Sequence, residues 1–243
     1  NEICKIIDNI PSLTSLNING NRFSQFSQEQ RTHNGIVLLK LSSTMMSTLM
    51  LEKLIKKFPN LKELYISGNN YCNADIENMN LNMPLTILDL SYNRLEHMPI
   101  LPLVSALNLS HNYLSLRIIK GTFPNLKSLD LRANQIKDWT EIDKISIHLP
   151  NLKELRINHN PLFQELSVDD MTMQLIGRIK CSPEHLWKLN GSFLTNEEIE
   201  NSELYFISKV EQGKYHIDNE QQWSYLLSKY NKLVESRVSY TYT

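Results

Sequence analysis

Hydrophobic residues recur in one fixed order along the first two-thirds of the chain. The order is L-x-x-L-x-L-x-x-N-x-L, with other apolar residues allowed at the leucine positions. Six clear copies start at Leu13, Leu61, Leu85, Val104, Leu126 and Leu152, and a degenerate copy with Thr44 at the Asn position starts at Ile36. Successive starts are 19 to 26 residues apart. A spacing this regular predicts one structural unit repeated along the chain.

Each copy predicts a short strand that buries one face, because the fourth and sixth positions of the order point the same way. One copy cannot bury this face alone, whereas stacked copies share a continuous core. The spacing is typical of the leucine-rich repeat. We therefore predict an α/β solenoid, a leucine-rich-repeat horseshoe with a parallel concave β-sheet and a helical C-terminal cap. The asparagine at the ninth position is expected to be structural, because its amide can bond neighbouring backbone turns.

Segments outside the strands carry apolar residues at helical spacing. These predicted helices cover residues 45–57, 171–179, about 195–209 and about 218–234. The third begins with a capping box in which Thr195 and Glu198 satisfy each other's backbone donors. The run from Leu186 to Gly191 predicts one more strand and a turn. We predict three domains, a solenoid of about seven repeats over 1–162, its cap over 163–210, and a C-terminal helix with the start of a linker over 211–243.

Composition excludes several classes of function. The net charge of −1 leaves no basic surplus for nucleic acid. The seven glycines are scattered, so that no phosphate loop, dinucleotide fingerprint or nucleophile elbow can form in its usual shape. No apolar run of about 18 residues predicts a membrane span. Three cysteines without a C-x-x-C pair fit a reducing, cytoplasmic setting. The chain lacks an initiator Met, which suggests a piece of a longer protein.

Catalytic and metal-binding chemistry is not expected. His111 and His159 occupy the same position two repeats apart, about 10 Å at the usual strand spacing, which is too far for one metal. Cys181 and His185 form a lone pair of ligand types, and a zinc site needs more ligands. Adjacent acids are expected at helix starts, where negative charge favours the helix dipole. We therefore predict no catalytic, cofactor or metal site, and a protein that is not an enzyme.

The second half of the chain carries motifs that resemble the capped repeat domain of the tubulin-folding cofactor E family. They are Asn160-Pro161-Leu162, Leu175-Ile176-Gly177-Arg178-Ile179, Leu189-Asn190-Gly191-Ser192, Thr195-Asn196-Glu197-Glu198 and Glu203-Leu204-Tyr205-Phe206, with Asp138-Trp139 after the sixth repeat. The resemblance implies the central repeat domain of a fungal-type member, without the glycine-rich and ubiquitin-like domains of the family. It also implies a cytoplasmic, cytoskeleton-associated chaperone that binds α-tubulin and acts with other tubulin-folding cofactors in assembling and dissociating the αβ-tubulin heterodimer.

Variable positions of the strands are the expected partner-binding surface, because they project from the concave sheet. The candidates are Lys40, Tyr65, Asp89, Tyr92, Asn108, Asp130, Arg132 and Arg156. Tyr and Arg side chains dominate the energetics of interfaces, which favours Tyr65, Tyr92, Arg132 and Arg156. Lys127 and Lys153 extend the two arginines into a basic cluster that could steer an acidic partner.

Two other functions stay open at this point. The same concave face could serve an intracellular adaptor or enzyme regulator, of the phosphatase-regulating or ribonucleoprotein-scaffolding type. The sequons at Asn108 and Asn190 would suit an extracellular receptor repeat. The chain lacks the cysteine-rich caps that such receptors need, and a glycan on Asn108 would cover the concave face.

Overall fold

The computed structural model describes residues 7–23, 31–79, 81, 83–117, 119, 121 and 123–239. Within these residues one sheet contains β1 (Ser15–Asn17), β2 (Leu38–Lys40), β3 (Glu63–Tyr65), β4 (Ile87–Asp89), β5 (Ala106–Asn108), β6 (Ser128–Asp130), β7 (Glu154–Arg156), β8 (Lys188–Leu189) and β9 (Ser192–Phe193). Strands β1 to β8 are parallel and adjacent in chain order, and β9 pairs antiparallel with β8. The predicted leucine-rich-repeat horseshoe is confirmed.

The sheet pairs the repeats position by position. Leu64, for example, lies opposite Leu39 on one side and Leu88 on the other, and all three are fully buried. The residues on either side of each central leucine are more exposed, since they project from the opposite face. The core is therefore a continuous stack of leucines behind the sheet, as the repeat predicts.

The asparagine column forms a hydrogen-bonded ladder. Asn134 is typical: its Nδ2 donates to the carbonyls of Leu109 and Leu131, both at 3.0 Å, and its Oδ1 accepts from the backbone N–H of Leu114 at 3.0 Å. In the degenerate repeat the buried Thr44 lies where the asparagine would be, and its hydroxyl is 3.0 Å from the carbonyl oxygen of Leu41. The predicted structural role of this column is confirmed.

The eighth position of every repeat has a left-handed backbone, which the repeat pattern did not reveal. The residues are Gly20, Ser43, Gly68, Tyr92, His111, Ala133 and His159, with φ between 53° and 70°. The chain leaves the strand at this position and turns toward the buried asparagine. The fold thus demands at every copy a conformation that glycine adopts most easily.

The described helices are α1 (Thr48–Ile55), α2 (Asn73–Asn78), α3 (Trp139–Asp143), α4 (Ile145–His148), α5 (Val168–Arg178), α6 (Asn196–Glu211) and α7 (Glu220–Ser239). Helix α1 begins later than the predicted Met45, because Met45 has a φ of 53° and the Ser47 hydroxyl caps the helix. Helix α5 begins three residues before the predicted Met171, capped by Ser167. Helix α7 extends past the predicted Val234, so the expected linker is helical to Ser239. The Leu233 side chain, predicted to pack there, lies outside the described residues.

The sheet ends in a β-hairpin. Asn190 and Gly191 connect β8 to β9 with φ of 50° and 98°, the pair of positive values that a tight Asn-Gly hairpin turn requires. The Asn190 Oδ1 accepts from the backbone N–H groups of Ile157 at 2.8 Å and Asn158 at 3.2 Å. This side chain therefore occupies the place where another parallel strand would bond.

A buried arginine joins the cap to the last repeats. Both oxygens of the Asp143 carboxylate lie within 3.0 Å of Nη1 of Arg178, which is 1% exposed. The guanidinium also donates to the carbonyl of His216 at 2.6 Å and lies over the rings of Trp139 and Phe206. Asp143 in turn accepts from the backbone N–H of Asp218 at 2.9 Å, just before α7. The ion pair thus joins α3 to α5, and its hydrogen bonds to the backbone of His216 and Asp218 hold the segment that leads into α7.

Close helix packing explains the neighbouring glycine. A Cβ on Gly177 would lie 2.2 Å from Cγ of Phe206, so any side chain there would collide with α6. One turn before Phe206 on α6, the fully buried Glu203 accepts from the hydroxyl of Tyr230 at 2.6 Å and pairs with Lys229, both on α7. The three cap helices are therefore locked together by steric fit and by buried polar contacts.

Candidate protein-binding face

Six of the eight candidate residues end neighbouring strands of the concave sheet. In register order they are Lys40, Tyr65, Asp89, Asn108, Asp130 and Arg156. Each one follows a buried leucine and therefore projects from the exposed face. The structure brings these six side chains into one row, which we call the concave row.

Tyr65 is held in place before any partner arrives. Its hydroxyl donates to Oε2 of Glu63 at 3.0 Å, and the Lys40 Nζ lies 5.1 Å from the centre of its ring. Partial burial raises the pKa of the Tyr65 hydroxyl, and the Glu63 carboxylate raises it further. The phenol is therefore a fixed, protonated group, which is the kind of rigid anchor that interfaces favour.

Asp89 and Asn108 bond to the turns that follow their own strands. The Oδ1 of Asp89 accepts from the backbone N–H of Ser91 at 2.9 Å and from its hydroxyl at 2.6 Å. The Oδ1 of Asn108 accepts in the same way from Ser110, at 3.0 and 2.8 Å. These two candidates therefore also stabilise the repeat turn, so a substitution at either would affect the fold as well as any contact.

The two candidate arginines differ in their surroundings. The Arg132 Nε lies 3.0 Å from both oxygens of Asp130, and its Nη2 lies 2.7 Å from Oδ2. These hydrogen bonds raise the pKa of the Arg132 guanidinium, so it stays charged and is paired with Asp130 in this structure. Arg156 lies opposite Asp130 in the sheet, is exposed, and has no hydrogen-bond or ion-pair partner among the described residues.

The predicted basic cluster is divided. Arg132 is paired with Asp130, and the Lys153 Nζ donates to the backbone carbonyl of Glu184. Lys188 in the cap, which the sequence analysis did not select, pairs with Glu154 at 3.3 Å. The concave face therefore mixes both signs of charge and is not a continuous positive patch, because carboxylates pair with Arg132 and Lys188.

A shallow cavity of about 240 Å³ lies on the face between Tyr65 and Arg156. The small side chains Ala106 and Ser128 contribute to its lining. These residues occupy the third position of the repeat, from which the sequence analysis selected no candidate. The period of two along a strand was the available signal, since the third and fifth positions share one face. The cavity has room for one side chain of a partner.

Tyr92 lies apart from the concave row. It follows the end of β4, in the left-handed turn at the eighth position, and so lies at the edge of the sheet rather than on its face. Its ring stacks on that of His111 in the next repeat, with centroids 4.1 Å apart and planes inclined by 8°. The reason is geometric, because the chain has already turned out of the strand at this position. We call this edge, at the carboxyl ends of the strands, the turn edge.

The remaining candidate chemistry belongs to the fold. Cys181 is buried with its thiol 3.2 Å from the carbonyl of Ile179, and burial raises the pKa of that thiol. His185 instead contacts the Ser182 hydroxyl through Nδ1 at 2.8 Å, and burial lowers the pKa of its imidazole. Among the described residues no group of three His, Cys, Asp or Glu side chains is placed to hold a metal ion. No described helix is both long and apolar enough to cross a membrane.

Comparison with known proteins shows which proteins this chain resembles. The family described as "Leucine Rich repeat" matches residues 81–96 and 124–138. "Protein PAC2" of Saccharomyces cerevisiae is 29% identical over 95% of this chain and 46% of its own length. The Homo sapiens "Tubulin-specific chaperone cofactor E-like protein" is 28% identical, over 96% of this chain and 57% of its own. The Arabidopsis thaliana "Tubulin-folding cofactor E" is 25% identical, over 98% of this chain and 48% of its own length.

The chain spans about half the length of these relatives. The matches nevertheless cover nearly all of this chain, including the repeats and the cap. The family resemblance predicted from the sequence motifs is confirmed.

Proposed function

We propose that this chain, a relative of the tubulin-folding cofactor E family, is a protein-binding repeat domain of a tubulin-folding chaperone. In this role it contacts α-tubulin through the concave row and takes part in assembling and dissociating the αβ-tubulin heterodimer. It acts without catalysis, in the cytoplasm and in association with the cytoskeleton and microtubules, together with other tubulin-folding cofactors.

The observation that carries the proposal is the pair of Tyr65 and Arg156 on either side of the concave cavity. Tyr65 is fixed by Glu63 and Lys40, so little side-chain entropy is lost when a partner packs against it. Arg156 is exposed, and no described residue neutralises it. An acidic partner can therefore pair with Arg156 while one of its side chains enters the cavity. The relatives whose names contain "tubulin-specific chaperone" or "tubulin-folding cofactor" supply the identity of that partner.

The test is analytical size-exclusion of the chain mixed with αβ-tubulin at low and moderate salt, about 50 and 150 mM. We expect co-elution, or a shift of α-tubulin alone into a complex. The triple substitution Tyr65→Ala, Arg132→Ala and Arg156→Ala should weaken this complex while leaving thermal unfolding nearly unchanged. Lys56→Ala is the matched control, because Lys56 is an exposed cation at the end of α1, away from the strands, and its ion pair among the described residues is with Glu52.

Two results would count against the proposal. Absence of any complex between the wild-type chain and tubulin at both salt concentrations would contradict tubulin binding by this domain. Full binding by the triple variant would contradict the concave row as the site, even if tubulin is the partner.

A further inference from the structure

The turn edge carries three large rings, Tyr92, His111 and His159, at a position where the other repeats have small residues, and the first two of these rings lie in adjacent repeats. At the eighth position four repeats have Gly20, Ser43, Gly68 and Ala133. Tyr92 and His111 occupy the same position in the two middle repeats, with φ of 54° and 56°. The backbone conformation at this position is equivalent in all of these repeats, so a small residue would fit equally well in place of Tyr92 or His111.

A side chain at this position strains the backbone, because in the left-handed conformation Cβ approaches the carbonyl oxygen too closely. Burial of the ring could offset such strain, yet Tyr92 is 60% exposed. The backbone N–H of Tyr92 donates to the carbonyl of Ser110 at 3.0 Å, and that of His111 to the carbonyl of Arg132 at 2.9 Å. These bonds hold the two turns whichever side chains they carry. The hydrophobic core therefore gives no reason for the two rings.

The rings are arranged as a flat, rigid surface. Their planes are nearly parallel and their centroids are 4.1 Å apart, so each ring restricts the orientation of the other. Tyr113, two residues beyond His111, is also exposed, at 58%. Exposed aromatic side chains with few rotational degrees of freedom are the groups that supply binding energy at low entropic loss. Strain that is retained without a gain in burial is typical of a functional surface.

We infer that the Tyr92–His111 stack on the turn edge is a second contact surface for the tubulin partner. This inference rests on the proposed function and extends the binding surface from the concave row around the carboxyl ends of β4 and β5. The stack offers a flat apolar surface to an apolar or planar side chain of the partner. Arg132 and Asp130 follow in the next repeat and supply polar groups beside it.

The experiment measures both stability and binding of the chain with Tyr92→Gly and His111→Gly together. We expect a thermal unfolding midpoint equal to or above that of wild type, because glycine relieves the backbone strain. We expect the affinity for αβ-tubulin, measured by titration of the fluorescently labelled chain, to fall about thirtyfold, the loss expected for an interface hot spot. Tyr92→Phe, which keeps the ring, should retain most of the affinity.

Ala133→Gly is the matched control, since it changes the same position of the next repeat without removing a ring. We expect it to leave tubulin affinity unchanged. Unchanged affinity in the double glycine variant would overturn the inference while the proposed function stands. A lower unfolding midpoint in that variant would also overturn it, because the stack would then be part of the fold. Failure of the wild-type chain to bind tubulin would overturn both.

Discussion

Removing one amide from the asparagine ladder tests whether the ladder stabilises this fold as its geometry suggests. The substitution Asn134→Ala deletes three bonds of 3.0 Å, to the carbonyls of Leu109 and Leu131 and to the backbone N–H of Leu114. It also deletes a 3.2 Å contact to the carbonyl of Arg132, which still accepts from the backbone N–H of His111 at 2.9 Å. Asn134 is 2% exposed, so water cannot readily replace the missing amide. The magnitude depends on which of the three backbone groups keep another partner.

The two carbonyls keep a second bond. The Leu109 oxygen still accepts from Asn112 at 3.0 Å, and the Leu131 oxygen from Asn160 at 3.0 Å. The N–H of Leu114 has no other acceptor among the described residues. Leaving one buried donor unpaired costs about 1–3 kcal/mol, and each of the two lost bonds costs about 0.5–1.5 kcal/mol. The free energy of unfolding should therefore fall by roughly 2–6 kcal/mol.

The assay is urea denaturation followed by circular dichroism, with Asn21→Ala as the control. Asn21 occupies the same repeat position in the first copy but is exposed, and within the described part of the chain it donates to the carbonyls of Ile18 and Asn19. Its substitution should cost less than about 1 kcal/mol, because water can solvate these carbonyls. Equal losses in the two variants would refute the reasoning, since burial would then have no influence on the energy of the ladder.

Three further predictions concern the cap. Gly177→Ala forces a methyl group against Phe206 and should lower the free energy of unfolding by about 1–3 kcal/mol or more in urea titrations. Asp143→Ala leaves the buried Arg178 without its counter-ion and should lower the free energy of unfolding by about 3–5 kcal/mol in the same assay. The double variant Asp143→Ala with Arg178→Met should recover part of this loss, because it removes the unpaired charge. Hydrogen bonds from Thr195 lower the pKa of the Glu198 carboxylate, so the ionised carboxylate stabilises the folded state. This contribution to stability is complete above the unfolded Glu pKa of about 4.3 and is lost as the pH falls through the lower folded pKa. The difference in stability between wild type and Glu198→Gln should therefore shrink below about pH 4.

Each of these predictions has a contrary outcome. Wild-type stability of Gly177→Ala would mean that the Phe206 ring can move away from α5. A double variant no more stable than Asp143→Ala would mean that the unpaired charge is not what destabilises the single variant. If the difference in stability between wild type and Glu198→Gln stays constant between pH 3 and 7, the charge of the capping box contributes no stability.

The repeat sequence predicts the strands, their order and their register, because all three follow from one period. The left-handed eighth position is equally regular, yet only Gly20 and Gly68 mark it in the sequence. Larger residues such as Tyr92 mask the signal at the other copies. The Asn190-Gly191 pair was a readable hairpin signal, since this dipeptide favours the tight turn that joins β8 to β9.

Contacts between distant segments could not be predicted in this way. Asp143 and Arg178 are 35 residues apart and meet only because the cap folds back on the last repeats. Nothing in the local pattern of either segment indicates a partner. Gly177 likewise looks like a weak point in a helix until the Phe206 ring of α6 is seen against it. The fold of the cap therefore depends on contacts between distant segments, whereas the fold of the solenoid follows from the regular spacing of its repeats.

The choice of partner by Asp130 decides the charge of the concave face. Asp130 can reach Arg132 in its own turn or Arg156 in the neighbouring strand, and it binds Arg132. Its Oδ1 also accepts from the backbone N–H of Arg132 at 3.1 Å, the same turn geometry that Asp89 and Asn108 adopt. The repeat turn therefore orients the carboxylate toward Arg132, and Arg156 is left unpaired.

A face of mixed charge, on which Arg156 is exposed and unpaired among the described residues, predicts weak dependence of tubulin binding on salt. An exposed ion pair contributes at most about 1 kcal/mol, so raising the salt from about 50 to 150 mM should reduce the affinity no more than about fivefold. Titrations of the labelled chain at both concentrations measure this ratio, and Arg156→Ala should remove most of it. A decrease of a hundredfold would mean that the cations act together as a positive surface, and that the Arg132–Asp130 and Lys188–Glu154 pairs open when the partner binds.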